Sequence, residues 1–155
     1  MTALTELLAR VETATGADRE LDDALAVVFG WQKTEIGWRD PNSVLRSDRP
    51  RFSHSIDAVL AALKRMLPGW GGEISFGQPP WAIVTSPDYE ESEDFVEEKG
   101  FMFMSGAYGK PPAATPALAL NAALLKAKIT QAASPASGPS LALDDPLPKQ
   151  QGDER

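Results

Sequence analysis

The sequence predicts an α+β fold in which a small antiparallel sheet of about three strands packs with helices as an α/β/α sandwich. Three observations predict it. Apolar residues recur with helical spacing before residue 68, strand-like alternation follows between residues 73 and 107, and an alanine-rich helix begins at Thr115-Pro116. Strands that lie close together in sequence favour an antiparallel meander, and helices packed on such a sheet form an α+β arrangement.

Two amphipathic helices open the chain. Both show apolar residues at i, i+3, i+4 and i+7, which are Leu4, Leu7, Leu8 and Val11 in the first and Leu21, Ala24, Leu25 and Val28 in the second. Thr2 and Asp18 have side chains suited to N-caps, and Gly16 and Gly30 follow the expected helix ends. The sequence therefore predicts a pair of short helices.

Residues 31–51 carry no long period, and the third helix follows them. We expect one short strand around residues 33–38, with the tryptophans of this region anchoring it over the core. The third helix has a continuous apolar stripe, formed by Ile56, Val59, Leu60, Leu63 and Leu67. Ser53 or Ser55 supplies its N-cap oxygen, and Pro68-Gly69 ends it.

Three strands and a fourth helix complete the predicted domain. Strands are expected over residues 73–76 and 81–85 and within residues 100–107, and the last has apolar residues on both faces, which is typical of a central or doubly covered strand. Thr115 and Pro116 begin an apolar, alanine-rich helix that we expect to pack deeply. We predict one domain over residues 1–133 and a disordered tail over residues 134–155, whose composition is polar and aperiodic.

Composition excludes several classes of function. The chain has no cysteine, which excludes disulfides, thiolate metal sites and a cysteine nucleophile, and its one histidine excludes a zinc site with several imidazole ligands. The net charge of −7 argues against generic nucleic-acid binding, because neutralisation of phosphates by Lys and Arg supplies most of that affinity. Without an apolar run of 18 residues or a signal-peptide start, we expect a cytoplasmic protein with no membrane contact.

A cluster of basic and polar residues precedes the third helix and is the first candidate site. Its members are Arg39, Arg46, Arg49, Arg51, Ser53, His54 and Ser55. Arginine forks and a helix N-terminus both favour anions, so a nucleotide-like ligand or an acidic patch on a partner is one interpretation. The alternative is a solvated loop whose arginines balance nearby aspartates and whose serine caps the helix. A Ser-His nucleophile is disfavoured, because neighbouring residues on a helix do not face one another.

A run of carboxylates is the second candidate site. It comprises Asp88, Glu90, Glu91, Glu93, Asp94, Glu97 and Glu98. Carboxylate oxygens suit calcium or magnesium, but the spacing lacks the glycine turn of the twelve-residue calcium loop, so we predict no metal and no cofactor. A second interpretation is that these carboxylates mimic the phosphate backbone of a nucleic acid and so bind a basic, nucleic-acid-binding protein. The third interpretation is a flexible, solvated loop.

Three segments together resemble a known family. They are "DRELDDALA" at residues 18–26, "FSHSIDAVLAALKRMLPGW" at residues 52–70 and "ATPALALNAALLKAK" at residues 114–128. In this order they resemble the phage ABA sandwich domain family, small proteins encoded by tailed phages and prophages, over roughly residues 16–130. The resemblance implies a phage origin and an α/β sandwich, and it carries over no catalytic residue. Residues 86–98, the tail and Asn121, where the family commonly has cysteine, depart from the pattern.

These observations favour binding over catalysis. We expect a non-enzymatic phage or prophage accessory protein in the host cytoplasm, which binds a basic host protein through its acidic run, for instance as a counter-defence factor. The alternative is a binder or sequesterer of a small anionic, nucleotide-like ligand at the arginine-rich segment. Neither hypothesis involves a cofactor or direct contact with nucleic acid, and self-association into a homo-oligomer stays open.

Overall fold

Four helices and two small antiparallel sheets form the part of the chain that the computed structural model describes, which is residues 2–77, 79–89, 102–105 and 113–133. The elements in order are α1 (Ala3–Thr13), α2 (Arg19–Val28), β1 (Gln32–Thr34), β2 (Gly37–Arg39), β3 (Leu45–Arg46), α3 (Ile56–Met66), β4 (Gly71–Ser75), β5 (Trp81–Thr85), β6 (Met102–Ser105) and α4 (Pro116–Ala133). The α+β class is confirmed. The tail predicted over residues 134–155 lies outside the described residues.

The helix N-termini are capped as local chemistry predicts. Thr2 Oγ1 accepts from the Thr5 backbone N–H at 3.3 Å, and Asp18 Oδ1 accepts from the first turn of α2. Of the two serines before α3, Ser55 is the cap, because its Oγ accepts from the Ala58 N–H at 3.2 Å. Each cap satisfies a backbone donor that has no partner inside the helix.

The C-terminal sheet, formed by β4, β5 and β6 in that order, places one face against helices. Gly72 and Val84 are register partners and therefore share a face. A Cβ added at Gly72 would lie 3.1 Å from Leu63 of α3 and 3.9 Å from Leu120 of α4, so both helices contact this face. Ala82 and Val84 are fully buried beneath them.

Helix α4 is the centre of the core. Residues 117–125 are all buried, because α4 lies against all three strands of the C-terminal sheet and also against α1 and α3. Frequent alanines let these neighbours approach closely. This confirms the prediction that the alanine-rich helix packs deeply.

The single strand predicted around residues 33–38 is wrong. The segment is a hairpin in which Glu35 and Ile36 form the turn between β1 and β2, and β3 completes a second, N-terminal sheet in the order β1-β2-β3. Gly37 has a φ of +147°, and a Cβ there would collide with the backbone oxygen of Arg46. The glycine therefore both permits the turn and admits the third strand.

Of the two positions predicted for the last strand, the central one is corrected, and the doubly covered one stays a prediction. The strand expected within residues 100–107 is β6, which lies at one edge of the sheet as described, whereas β5 lies in the middle. Of that expected strand, residues 100, 101, 106 and 107 lie outside the described part. β4 begins at Gly71, two residues before the predicted start, because Gly71 and Gly72 pair with the end of β5.

Candidate functional site

The seven residues predicted to bind an anion are distributed over three places. Arg39 and Arg46 lie on the N-terminal sheet, whereas Arg49 and Ser53 are buried beside α2. Ser55 caps α3, and Arg51 and His54 are exposed. The structure thus brings only part of the predicted site together.

Arg49 is buried in a cluster of ionic contacts. Its side chain is 6% exposed, Nη1 donates to Asp48 Oδ1 at 2.7 Å, and Nη2 donates to the Arg19 backbone oxygen at 3.0 Å. Nε lies 2.6 Å from Asp23 Oδ1 without hydrogen-bond alignment, and the guanidinium stands 6.0 Å from the centre of the Trp38 ring. Arg49 therefore holds its own loop against α2 and the N-terminal sheet.

The same contacts act on the neighbouring carboxyl group. The Arg49 side chain and then the Arg49 backbone N–H donate to Asp48, and these hydrogen bonds lower the pKa of the Asp48 carboxyl below its ordinary value. The Asp48 carboxyl group is therefore ionised near neutral pH. The guanidinium is then engaged by a charged partner from its own chain.

Ser53 forms a second structural contact point. Its backbone N–H donates to Asp22 Oδ1 at 2.7 Å, and its Oγ accepts from the Asp18 N–H at 3.0 Å. The Ser53 backbone oxygen accepts from Thr115 Oγ1 at 3.3 Å, just before α4. Ser53 is fully buried, so it joins α2 to α4 and its hydroxyl is not presented to solvent.

Asn121 extends this contact point into α4. Its Nδ2 donates to the Phe52 backbone oxygen at 2.7 Å and to the Ala117 backbone oxygen at 2.9 Å. Its Oδ1 has no hydrogen-bond partner among the described residues. Sequence reasoning noted Asn121 only as a polar residue in an apolar stripe and did not find Asp22, which is 3% exposed. For Asn121 the available signal was a polar residue inside a helical apolar pattern, whereas Asp22 gave no signal, because acidic residues are common in the first turn of a helix.

A small cavity lies beside the start of α2. It has a volume of about 180 Å³ and is lined by Ala17, Asp18, Arg19, Asp22, Arg49 and Arg51. A neighbouring cavity of about 450 Å³ shares Ala17 and Asp18. Because ligand pockets for drug-sized molecules occupy roughly 300–1,000 Å³, the smaller cavity suits one phosphate-sized group. Of its three arginines, Arg51 has no ion-pair contact with a carboxylate in the described structure.

The N-terminal sheet exposes aliphatic side chains next to arginines. Ile36 in the turn between β1 and β2 is 76% exposed, and Val44 and Leu45 at the start of β3 are 46% and 44% exposed. Arg39 and Leu45 are register partners, so their side chains leave the same face of the sheet. The aperiodic sequence of residues 31–51 gave no sign of this pair, because Arg39 and Leu45 meet only through strand pairing.

The opposite face of the N-terminal sheet turns toward the rest of the protein. Trp38 on that face is 6% exposed, and its register partners are Lys33 and Arg46. Arg46 Nε donates to Asp40 Oδ2 at 3.3 Å, while Arg39 Nη1 donates to the Ser43 backbone oxygen at 3.2 Å. Arg39 thus contacts no carboxylate within the described residues.

The acidic run is described only at its start. Asp88 is exposed and its Oδ1 accepts from Ser86 Oγ at 2.5 Å. The other six members lie outside the described residues: Glu90, Glu91, Glu93, Asp94, Glu97 and Glu98. Partner binding by this run therefore stays a prediction. Elsewhere, the described residues contain no group of three or more histidine or carboxylate side chains arranged to hold a metal ion.

Comparison with known proteins gives no family assignment. No family model, no curated protein and no solved structure matches the chain. The resemblance to the phage ABA sandwich domain family accordingly stays a prediction. Among the helices described, none combines the length and apolar character needed to cross a bilayer.

Proposed function

We propose that this is a non-enzymatic accessory protein of a phage or prophage, which binds a basic host protein and acts as a counter-defence factor. The phage assignment rests on the sequence resemblance. The binding assignment rests on one observation, the distribution of charge. Arg46 and Arg49 are engaged by carboxylates of their own chain, whereas residues 88–98 carry seven carboxylates and no cationic side chain.

A localised acidic surface has a defined effect on association. It attracts a basic partner before contact, and such steering raises association rate constants by roughly 10–1,000-fold. The effect falls as salt concentration rises, because the Debye length is only about 8 Å at physiological ionic strength. We therefore expect binding of the host protein to weaken with added salt.

Charge reversal in the acidic run tests this proposal. A pull-down from host lysate with the natural chain first supplies the host protein. Lysine at residues 90, 91, 93 and 94 is expected to weaken affinity for that protein at least about tenfold, because steering and charge pairing are both lost. Isothermal titration calorimetry at two salt concentrations measures the change.

The matched control reverses four carboxylates elsewhere. Glu6, Glu20, Glu35 and Glu73 are exposed and described, and their replacement by lysine gives the same net charge. If this control and the acidic-run variant lose affinity equally, only net charge matters and the proposed surface is wrong. Thermal unfolding of each variant verifies that it is folded.

A second candidate function is capture of a small anion in the 180 Å³ cavity. The observation that favours it is Arg51, an exposed cation that lines the cavity without a carboxylate contact in the described part. Asp18 and Asp22 line the same cavity, and their carboxylates repel an anion, so binding depends on direct contact with the Arg51 guanidinium.

Inorganic phosphate and pyrophosphate are the probes for this second function. At 100 times its dissociation constant, a ligand adds about 2.7 kcal/mol to the free energy of unfolding. We expect a rise in the thermal midpoint that Arg51→Ala abolishes and that Arg39→Ala, which alters an arginine outside the cavity, preserves. No rise with either probe, or the same rise in both variants, contradicts this candidate.

A further inference from the structure

We propose that the two cavities beside the start of α2 form one site for a sugar monophosphate, with the phosphate in the smaller cavity and the sugar in the larger. This inference rests on the second candidate function, since it needs an anion at Arg51, and it adds the rest of the ligand and a further binding residue, Arg10. Ala17 and Asp18 line both cavities, so the two spaces adjoin at the loop that joins α1 to α2.

The larger cavity has room for more than the anion. Its volume is about 450 Å³, and pockets for small molecules occupy roughly 300–1,000 Å³. Gly16 is part of its lining, and a Cβ built there would have no atom of the described protein within 4 Å beyond its chain neighbours. The backbone of this loop is therefore open to a ligand.

The lining of the larger cavity is suited to hydroxyl groups. Its charged side chains are one cation, Arg10, and one anion, Asp18, and two threonines, Thr13 and Thr15, add hydroxyl groups. A sugar hydroxyl both donates and accepts hydrogen bonds, so it matches a guanidinium, a carboxylate and a threonine in one place. A nucleobase matches this lining less well, because proteins hold bases by stacking on aromatic side chains and none lines either cavity.

Polar groups of this lining are free to bind a ligand. Within the described residues, Arg10 contacts no carboxylate and the Thr15 hydroxyl has no hydrogen-bond partner. Asp18 Oδ1 caps α2 by accepting from the Glu20 and Leu21 backbone N–H groups at 2.8 and 3.1 Å, which leaves Oδ2 as an acceptor. The cap thus holds the Asp18 carboxylate where the two cavities adjoin.

Charge divides the ligand between the two cavities. The smaller cavity is lined by three arginines and two aspartates, whereas the larger is lined by one charged residue of each sign. A phosphate is attracted to the cationic excess of the smaller cavity, and an uncharged sugar suits the balanced charge of the larger one. Arg51 lines only the smaller cavity and Arg10 only the larger, so Arg51 binds the phosphate and Arg10 the sugar.

Titration of the full chain with three probes tests this inference. The probes are inorganic phosphate, ribose 5-phosphate and adenosine 5′-monophosphate, and isothermal titration calorimetry measures each dissociation constant. We expect ribose 5-phosphate to bind at least about tenfold more tightly than phosphate, because hydrogen bonds from the sugar to charged side chains add to the phosphate contact. The adenine base is expected to add no further affinity.

The variant Arg10→Ala separates the sugar contact from the phosphate contact. We expect it to weaken ribose 5-phosphate binding about tenfold and to leave phosphate binding unchanged, because Arg10 lines only the larger cavity. Arg51→Ala is expected to abolish binding of both probes. Arg39→Ala removes an exposed arginine outside both cavities and is the matched control, which should preserve both affinities.

The outcomes separate this inference from the candidate function on which it rests. Equal affinities for phosphate and ribose 5-phosphate, both lost in Arg51→Ala, overturn the sugar assignment and leave anion capture in place. An equal loss of both affinities in Arg10→Ala, or tighter binding of adenosine 5′-monophosphate than of ribose 5-phosphate, also overturns it. If no probe binds the natural chain, the inference and the candidate function are both wrong. Thermal unfolding of each variant without ligand verifies that it is folded.

Discussion

Replacement of Arg49 by alanine is expected to lower the free energy of unfolding by about 2 kcal/mol. Breaking a fully buried ion pair costs about 3–5 kcal/mol, but the Asp23 and Asp48 side chains are 38% and 50% exposed, so water screens part of the loss. The variant also removes the contact with the Trp38 ring. Urea denaturation at neutral pH measures the difference.

Arg51→Ala is the matched control, because Arg51 is exposed and two residues away. We expect its effect to stay within about 0.5 kcal/mol, the usual range for surface substitutions. Equal losses in the two variants would show that loop composition, rather than burial of Arg49, determines stability. If neither variant loses stability, the ionic cluster described here contributes nothing to the fold.

Acid provides a second measure of the same cluster. The pKa of Asp48 is lowered in the folded protein, so its ionised form stabilises the fold above its ordinary unfolded pKa of about 4. That contribution is lost as the pH falls through the lowered folded value. The stability difference between the natural protein and Arg49→Ala should therefore be constant near neutrality and shrink below about pH 4.

Replacement of Phe52 by alanine should produce the largest loss, about 3–5 kcal/mol, which is typical of truncating a buried phenylalanine. Phe52 is 1% exposed, and its ring lies 4.9 Å from that of Phe29 in an edge-on arrangement. Its backbone oxygen also accepts from Asn121 Nδ2. Truncation to alanine therefore leaves an empty space where α2, α4 and the start of α3 meet. Denaturant unfolding followed by tryptophan fluorescence measures the loss.

Phe76→Ala removes the same side chain from an exposed position and is expected to change stability by less than about 0.5 kcal/mol. A loss below about 1 kcal/mol for Phe52→Ala would contradict the packing described around it. Phe52 and Ser53 are neighbours in the loop before α3. A large loss of stability for Phe52→Ala would also show that this loop is part of the core.

Local chemistry explains which parts of the fold were predictable. Thr2, Asp18 and Ser55 act within four residues of their own positions, so their sequence context is sufficient to identify caps. The N-terminal sheet was predicted only in part, because strands of two or three residues carry too short a pattern and form only by pairing with one another. The turn at Glu35 and Ile36 has no glycine of its own, since the glycine that permits it is Gly37.

The candidate site was harder to predict than the fold. Four arginines in thirteen residues suggested one anion site, but burial separates them: Arg49 pairs with Asp23, which lies on α2, twenty-six positions earlier. Ser53 likewise bonds to Asp18 and Asp22 across more than thirty residues. Such contacts depend on how α2 packs against the loop before α3. The composition of residues 46–55 alone does not show how these two segments pack.

Asn121 has a consequence for the uniqueness of the fold. A helix that is apolar on every side has no amphipathic stripe to select its rotation, and residues 117–125 of α4 are buried on every side of the helix. Asn121 supplies that selection, because its amide reaches the Phe52 oxygen only at one rotation and one axial position of the helix. A turn or a slide of α4 would break this bond and leave the Phe52 backbone oxygen without its Asn121 donor, which costs about 1–3 kcal/mol. The Asn121 side chain thus sets both the rotation and the axial position of α4 in the core.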